Sequence, residues 1–341
     1  MIITYFLKFE YLGDSVLKTP YVLSISRYFE IIACLVLCQI TYSFFKTSKI
    51  EFRVYLKWFI DLNILITIFF VIIYFSVYFG LISIDSTRIV YSDFRLRGYY
   101  VEGGPYGLML SFIFITTSLL KYDKSTKYRR VLLLIVILFL AKSKSGLLCT
   151  VLWLGIENYV YLKRKIKQFV YPILIIGITA FTFFFINISE MYVKQLTIVK
   201  SSVEERPTDT NLIMGRIPSV FIVPEIINDH SFFGIGIGNY PLLRNNREYR
   251  GFFPLPPKEF RVLDSHSLGG IFDILIDTGI IGLFFFSLIL INIWKSLKAL
   301  KFQKRLLIGF LMLFLFGVQI YFLYPWILLG ILISLNENRS I

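Results

Sequence analysis

The chain has 341 residues, 56% hydrophobic and only 17% charged, with mean hydropathy +0.70, 35 Phe and 22 Tyr. A soluble chain carries about a quarter charged residues and has nowhere to hide this much apolar side chain, and the same figures exclude an extended disordered chain. This is the composition of an integral membrane protein, and the net charge of +14 has to be explained within that frame.

The position of the charge explains it. Four short connections (Lys46 to Trp58, Lys121 to Arg130, Glu157 to Gln168, Trp294 to Arg305) hold 18 Lys and Arg against 3 acids, a net +15. The rest of the chain holds 18 against 19 and nets −1. A nucleic-acid groove gathers its charge on one surface beside base-reading groups, so no nucleic-acid partner is expected. Basic short loops mark the cytoplasmic side of a bacterial inner-membrane protein. Cys34, Cys38 and Cys149 all lie in apolar segments, with no disulfide or zinc spacing, and there are two histidines.

In chain order, Met1 to Phe9 is apolar but too short to span and lacks the pattern of a signal peptide. A span needs about 20 mostly apolar residues, and candidate runs are predicted near 22–45, 59–83, 104–120, 131–142, 145–162, 169–188, 273–293 and 306–334. With basic loops inside, both termini fall outside. The exterior then holds 84–103, a tight turn near 142–145, and a loop of about 85 residues from 187 to 272 with nine basic and nine acidic residues. The fourth run is short before Lys142. In the first, Arg27 and Glu30 stand three apart and can pair. The expected fold is an all-α polytopic membrane protein of about eight transmembrane helices with one large exterior loop between helices 6 and 7. Its parts are an interfacial segment or remnant of a lost span (1–20), a bundle of about six helices (21–188), a loop subdomain (189–265), two C-terminal helices (266–335) and a tail (336–341).

Chemistry-bearing residues collect on the exterior. Asp264-Ser265-His266 ends the long loop; if helix begins there, His266, Gly270, Asp273 and Asp277 share a face. Carboxylates facing lipid are costly, so Asp273 and Asp277 should face the bundle interior. A histidine beside acids can act as general base toward a hydroxyl, the plainer alternative being a structural histidine at the interface. Arg88, Arg95 and Arg97 sit in a short exterior segment, where positive-inside bias normally depletes them. Guanidinium forks fit phosphate oxygens, and pairing with Asp85, Asp93 and Glu102 is the alternative. Lys142-Ser143-Lys144-Ser145-Gly146 either joins an anion site or is an ordinary turn. Gly234, Gly236 and Gly238 match no nucleotide fingerprint and read as tight backbone packing, and Pro254, Pro256 and Pro257 as an extended return to the membrane.

Four of these segments resemble the O-antigen ligase and polymerase superfamily of bacterial membrane glycosyltransferases. Arg97-Gly98-Tyr99-Tyr100-Val101-Glu102 resembles its arginine–glycine–aromatic entry to a span, and Lys142 to Gly146 its serine–arginine–serine turn with lysines instead. Gly215-Arg216 followed by His230-Ser231-Phe232-Phe233-Gly234 resembles the opening of its large loop, with Ser231 where proline is common. His266, then Asp277-Thr278-Gly279, resembles the loop-ending histidine and acidic–x–glycine helix, with aspartate for glutamate. The family commonly has ten or more spans, and the shortfall would fall before residue 20 in a truncated chain or a short divergent member.

The resemblance implies glycan transfer from undecaprenyl diphosphate to an acceptor sugar hydroxyl at the outer face of the inner membrane. It gives His266 the base role, with Asp264 or Asp273 orienting it. Arg95, Arg97, Arg216, Lys142 and Lys144 bind the donor diphosphate, and Asp277 binds substrate. No cofactor or metal is implied. The partners are the undecaprenyl-diphosphate-linked oligosaccharide and a chain-length regulator and flippase of the same pathway. A polymerase building O-antigen of lipopolysaccharide, or capsule, suits a divergent short chain better than a ligase delivering finished glycan to lipid A-core or protein. A flippase is the rival class. It predicts helices broken near mid-membrane and an inverted repeat, neither visible in the sequence.

Overall fold

The computed structural model describes residues 19–47, 52–84, 87–90, 94–100, 103–120, 123–159, 198–207, 213, 216–256, 267–297 and 301–337. The protein is all-α: among the described residues there is no strand, only an isolated bridge between Val90 and Leu96. The chain divides into two compact units. Unit one is Met1–Phe29 with Asn158–Phe286, and unit two is Glu30–Glu157 with Ser287–Ile341.

Three described helices are long and apolar enough to cross a membrane: α1 (Pro20–Thr47), α2 (Phe52–Tyr78) and, numbered in chain order, α9 (Ile271–Ser296). The others are shorter than a span. In unit two these are α3 (Gly103–Thr117), α4 (Lys124–Ile135, continued by a π-turn over Val136–Leu140), α5 (Lys144–Glu157), α10 (Lys301–Leu315) and α11 (Leu323–Glu337). A 15-residue helix rises about 22 Å against a hydrocarbon core of about 30 Å. Eight full-length spans are therefore not what the described helices provide, and the expected run at 169–188 lies outside the described residues. The eighth run is corrected outright. Residues 306–334 form two helices, because α10 ends at a left-handed Gly317 (φ 97°), where the Val318 N–H bonds back to Leu313 O. Pro325 then sits in the first turn of α11.

Unit two is built around α3, which has no charged residue and is buried nearly all round, as a helix apolar on every face must be. It runs parallel to α5. Gly107 lies against Ser143 and Gly146, the Ser111 hydroxyl donates to Gly146 O (2.8 Å), Thr150 Oγ1 to Ser111 Oγ (3.0 Å), and Trp153 Nε1 to Ser118 Oγ (2.8 Å). The glycines let the backbones close to van der Waals contact; a Cβ on Gly146 would stand 2.6 Å from Gly107 O. The helix α10 runs the other way, with Arg305 donating to Glu157 O (2.9 Å) and Gly309 against Trp153 and Ile115. The return helix α11 starts beside Tyr100 and Phe112, and Trp326 packs on Phe310 and Phe314.

The C-terminal ends of α3 and α5 are held by Arg130, a member of one of the basic connections. It is 8% exposed, donates to Thr117 Oγ1 (2.8 Å) and Ser118 Oγ (2.9 Å), and forks onto Glu157 (2.8 and 3.0 Å). A cation at helix C-termini is favourably placed. Arg130→Ala leaves Glu157 unpaired; because a fifth of the Glu157 side chain is still exposed, the cost is expected at the low end for a buried pair, about 3 kcal/mol. Thermal unfolding of the detergent-solubilised variant measures it, and an unchanged midpoint contradicts it.

Unit one contains the helix α6 (Arg216–Asp229) and two single turns, α7 (Tyr240–Leu243) and α8 (Arg247–Arg250), closing over a core of Ile222, Ile226, Ile235, Tyr240, Leu243 and Ile276. One of the loop arginines is architecture. Buried Arg250 donates to the carbonyls of Pro254 (2.9 Å), Arg244 (3.1 Å) and Ile213 (2.7 Å), so one guanidinium saturates three backbone acceptors.

Candidate functional site

The structure brings the family-like segments together two by two, one pair in each unit. In unit two, the Arg97 segment joins the Lys142 turn. Leu96 N donates to Leu140 O (2.8 Å), and a Cβ on Gly103 would stand 2.5 Å from Ala141 O. The π-turn delivers the chain into this corner, with Ala141 N bonded to Val136 O and Ser143 N to Ile137 O. Lys142 then takes a left-handed φ of 48°, uncommon for a residue with a side chain.

That turn buries Ser143 and exposes the two lysines. Ser143 caps α5: its hydroxyl accepts from Gly146 N (3.1 Å) and donates to Gly104 O (3.1 Å), tying the start of α5 to the start of α3. Two parallel helices therefore present their positive ends side by side, with no acidic residue in either first turn. Lys142 and Lys144 stand at that end, and among the described residues neither has an ion-pair partner. Cations at helix N-termini are electrostatically misplaced unless an anion joins them. Half-buried Arg97 is fixed nearby in the chain, with Nε donating to Arg88 O (2.7 Å) and its N–H to Ile89 O (2.9 Å); Arg95 is half-buried in the same segment.

This corner lies part-way down α2. Tyr74 Oη donates to Phe94 O (3.2 Å), Phe70 packs on Tyr99, and the Tyr106 hydroxyl donates to Thr67 Oγ1 (3.4 Å). Irregular backbone alongside a spanning helix occurs where it is buried in protein or lines a water-filled cavity.

In unit one, the segment after His230 pairs with α9. Ile235 N donates to Ile276 O (2.8 Å), Gly236 N to Asp277 O (2.9 Å), Ile280 N to Ser231 O (2.8 Å) and Ile281 N to Phe232 O (3.2 Å). These bonds exist because α9 is interrupted at Gly279 (φ 66°), which frees its carbonyls and amides for the passing strand-like segment. The sequence suggested no broken helix; α9 is one. Tight packing at Gly234 is as expected: a Cβ there would stand 2.6 Å from Asp277 C. His230 Nε2 lies 3.2 Å from Tyr249 Oη. Burial, with the Asp229 and Glu248 carboxylates nearby, pushes that phenol up to about 12, so it stays protonated.

Asp273 and Asp277 are buried, 6% and 9% exposed. The helical register expected for His266 is corrected. The helix α9 begins at Ile271, because Gly269 (φ 88°) and Gly270 (φ 61°) are left-handed and stop any helix running back through them. Instead Asp273 folds the approach onto itself, accepting from the Ser267 hydroxyl and from the N–H groups of Ser267 and Gly269. His266 and Asp264 lie outside the described residues, as does the side chain of Arg216, which opens α6. Asp277 lines a cavity of about 450 Å³ with Ser24, Tyr28, Phe233, Ile237 and Thr278. Ser24 donates to Asn239 Oδ1 (3.0 Å) at its edge. Arg27 interacts electrostatically with both carboxylates, and its stem lies against Gly238. The sequence offered Glu30 as its partner and so missed this role.

Among the described residues no cluster of His, Cys, Asp or Glu is arranged to hold a metal ion. No curated protein and no solved structure matches the chain. A family comparison does find a match. Residues 131–287 match the O-antigen ligase family model. The matched stretch, a little under half of the chain, contains the Lys142 turn, the His230 segment, His266 and the first part of α9 with its interruption at Gly279; the Arg97 segment precedes it. The resemblance to the O-antigen ligase and polymerase superfamily thus holds, and it implies glycosyl transfer of the ligase or polymerase type by a membrane protein.

Proposed function

We propose that this O-antigen ligase-like protein is a polysaccharide polymerase of the bacterial inner membrane, extending O-antigen or capsule at the outer face. It transfers a glycan from undecaprenyl diphosphate to a sugar hydroxyl of another lipid-linked repeat unit. The observation that supports this best is the pair of exposed lysines, Lys142 and Lys144, at the start of α5 beside the start of the parallel α3, a setting that suits a multiply charged anion. Arg95 and Arg97 join them as diphosphate ligands, and Arg216 is assigned that role by resemblance alone.

In the reaction the anomeric C–O bond to the diphosphate breaks as the acceptor oxygen bonds to the anomeric carbon. The acceptor proton goes to His266, and undecaprenyl diphosphate leaves with the electron pair. Fixed cations that meet the charge growing on the leaving group lower the barrier without reorganising. Asp273, through Ser267, holds the backbone next to His266; Asp264 orients the ring; Asp277 binds the acceptor glycan in its cavity. The family description favours a second reading, a ligase delivering finished glycan to lipid A-core or protein, which uses the same groups. His266→Ala and Arg97→Ala are each expected to abolish glycan extension with normal protein levels in the membrane. Normal chain-length distributions in both variants contradict the assignment.

A further inference from the structure

In unit one, two neighbouring rings stand out of the turn that follows α6: Phe232 is 68% exposed and Phe233 66%. They open a run of 13 residues, Ser231 to Leu243, that carries no charge. Their backbone is bonded as a chain that leaves water must be. The carbonyls of His230, Ser231 and Phe232 accept from Gly234, Ile280 and Ile281, and the amides of Ile235 and Gly236 donate to Ile276 and Asp277.

The partner in that pairing, α9, sets the depth of the turn. From Thr278 to Trp294 it has no charged residue, and Ile280, Phe284 and Phe285 are exposed, as on the lipid-facing side of a spanning helix. Lys295 marks its cytoplasmic boundary under the positive-inside pattern. Ile280 stands 15 residues from Lys295, about 22 Å along the helix, and so lies roughly 8 Å inside the far edge of a hydrocarbon core about 30 Å thick. Ser231 and Phe232 are bonded to α9 at that level.

We infer that the turn from His230 to Phe233 is a membrane-dipping anchor, whose two phenylalanines enter the acyl chains of the outer leaflet and seat the exterior loop on the bilayer. The occupant of this surface is lipid because the exposed rings continue the lipid-facing side of α9 and no charge interrupts the join. The depth agrees with that of interfacial elements, which bury their apolar faces about 5–10 Å past the headgroups. Polar groups stand where water and headgroups are met: Glu225, Asn228 and Asp229 are exposed on α6 just before the turn. Phe233 is also a wall of the Asp277 cavity, beside exposed Tyr28. The anchor therefore holds the rim of that cavity at leaflet depth, and a lipid-borne glycan reaches Asp277 without its carrier leaving the bilayer. This consequence rests on the glycosyl-transfer reading; the anchor does not.

The test places a nitroxide on Phe232→Cys and on Phe233→Cys in the full chain, reconstituted in phosphatidylglycerol–phosphatidylethanolamine vesicles. Cys34, Cys38 and Cys149 are buried, so the parent chain carried through the same labelling supplies the background. Asn228→Cys is the water reference and Phe284→Cys the lipid reference. Labels at 232 and 233 are expected to behave as at 284, relaxed by oxygen, which concentrates among acyl chains, and losing the response to a water-soluble nickel chelate seen at 228. Phe232→Trp, which keeps an aromatic ring, gives a second reading: its added fluorescence is quenched by lipid brominated in the acyl chain and not by iodide. Access to the nickel chelate at 232 and 233, as at 228, overturns the anchor. So does shielding from both reagents, which means that protein covers the rings, either a second copy or the run at 169–188. Lipid-like labels in a protein whose deletion leaves the glycan profile unchanged uphold the anchor and remove the glycosyl-transfer reading.

Discussion

Lys142→Asn combined with Lys144→Gln lowers glycan transfer about 100-fold and leaves the protein as stable as before or more so. The two effects have one cause. Each lysine sits where a helix macrodipole presents about half a positive charge, a placement that costs roughly 0.3–1 kcal/mol per cation in the absence of an anion. Lys142 also holds a left-handed backbone (φ 48°), which asparagine tolerates better. Removing both charges therefore relieves the resting protein. The bound diphosphate gains most from the same charges as the anomeric bond breaks, and losing them costs the transition state about 3 kcal/mol, the scale of one lost electrostatic donor. A thermal melt and a chain-length-resolved transfer assay on the same preparation test both signs. Lysines that merely close a turn leave activity unchanged, and that result contradicts the site.

Gly279→Val is expected to be the most damaging single change in unit one. The residue stands at φ 66°, and a Cβ there overlaps the Phe232 carbonyl and lies 2.6 Å from Gly234 N. Backbone, not a flexible side-chain tip, is in the way. The cost combines left-handed strain of about 1–3 kcal/mol with loss of the bonds that seat the His230 segment on α9. Activity should disappear, and limited proteolysis should cut the long loop at protease concentrations that spare wild type. Gly104→Ala is the control, because a Cβ there meets nothing within 4 Å. Equal protease resistance in Gly279→Val and Gly104→Ala refutes the seating role.

The sequence made the membrane class, the α fold and the separate chemistry-bearing segments legible, since each rests on composition or on residue type. Pairings were harder. That the Arg97 segment abuts the Lys142 turn follows from glycines at 103, 107 and 146, which read as ordinary small residues until two backbones meet at them. Helix interruptions were missed for a related reason. Hydropathy averages over a window, so neither Gly279 nor Gly317 registered inside its apolar run, although Gly317 with Pro325 marks the split of the last run in hindsight. The His266 register failed because helical periodicity was extended through Gly269-Gly270, two residues that favour ending a helix.

The most direct test of glycan transfer is the chain-length-resolved profile of lipid-linked and surface glycan in a strain lacking this gene, complemented with wild type, His266→Ala or Arg97→Ala. The account predicts single repeat units and no long chains, restored to long chains by wild type alone. Long chains stranded on undecaprenyl diphosphate identify the ligase instead, and a profile unchanged by the deletion contradicts glycosyl transfer altogether.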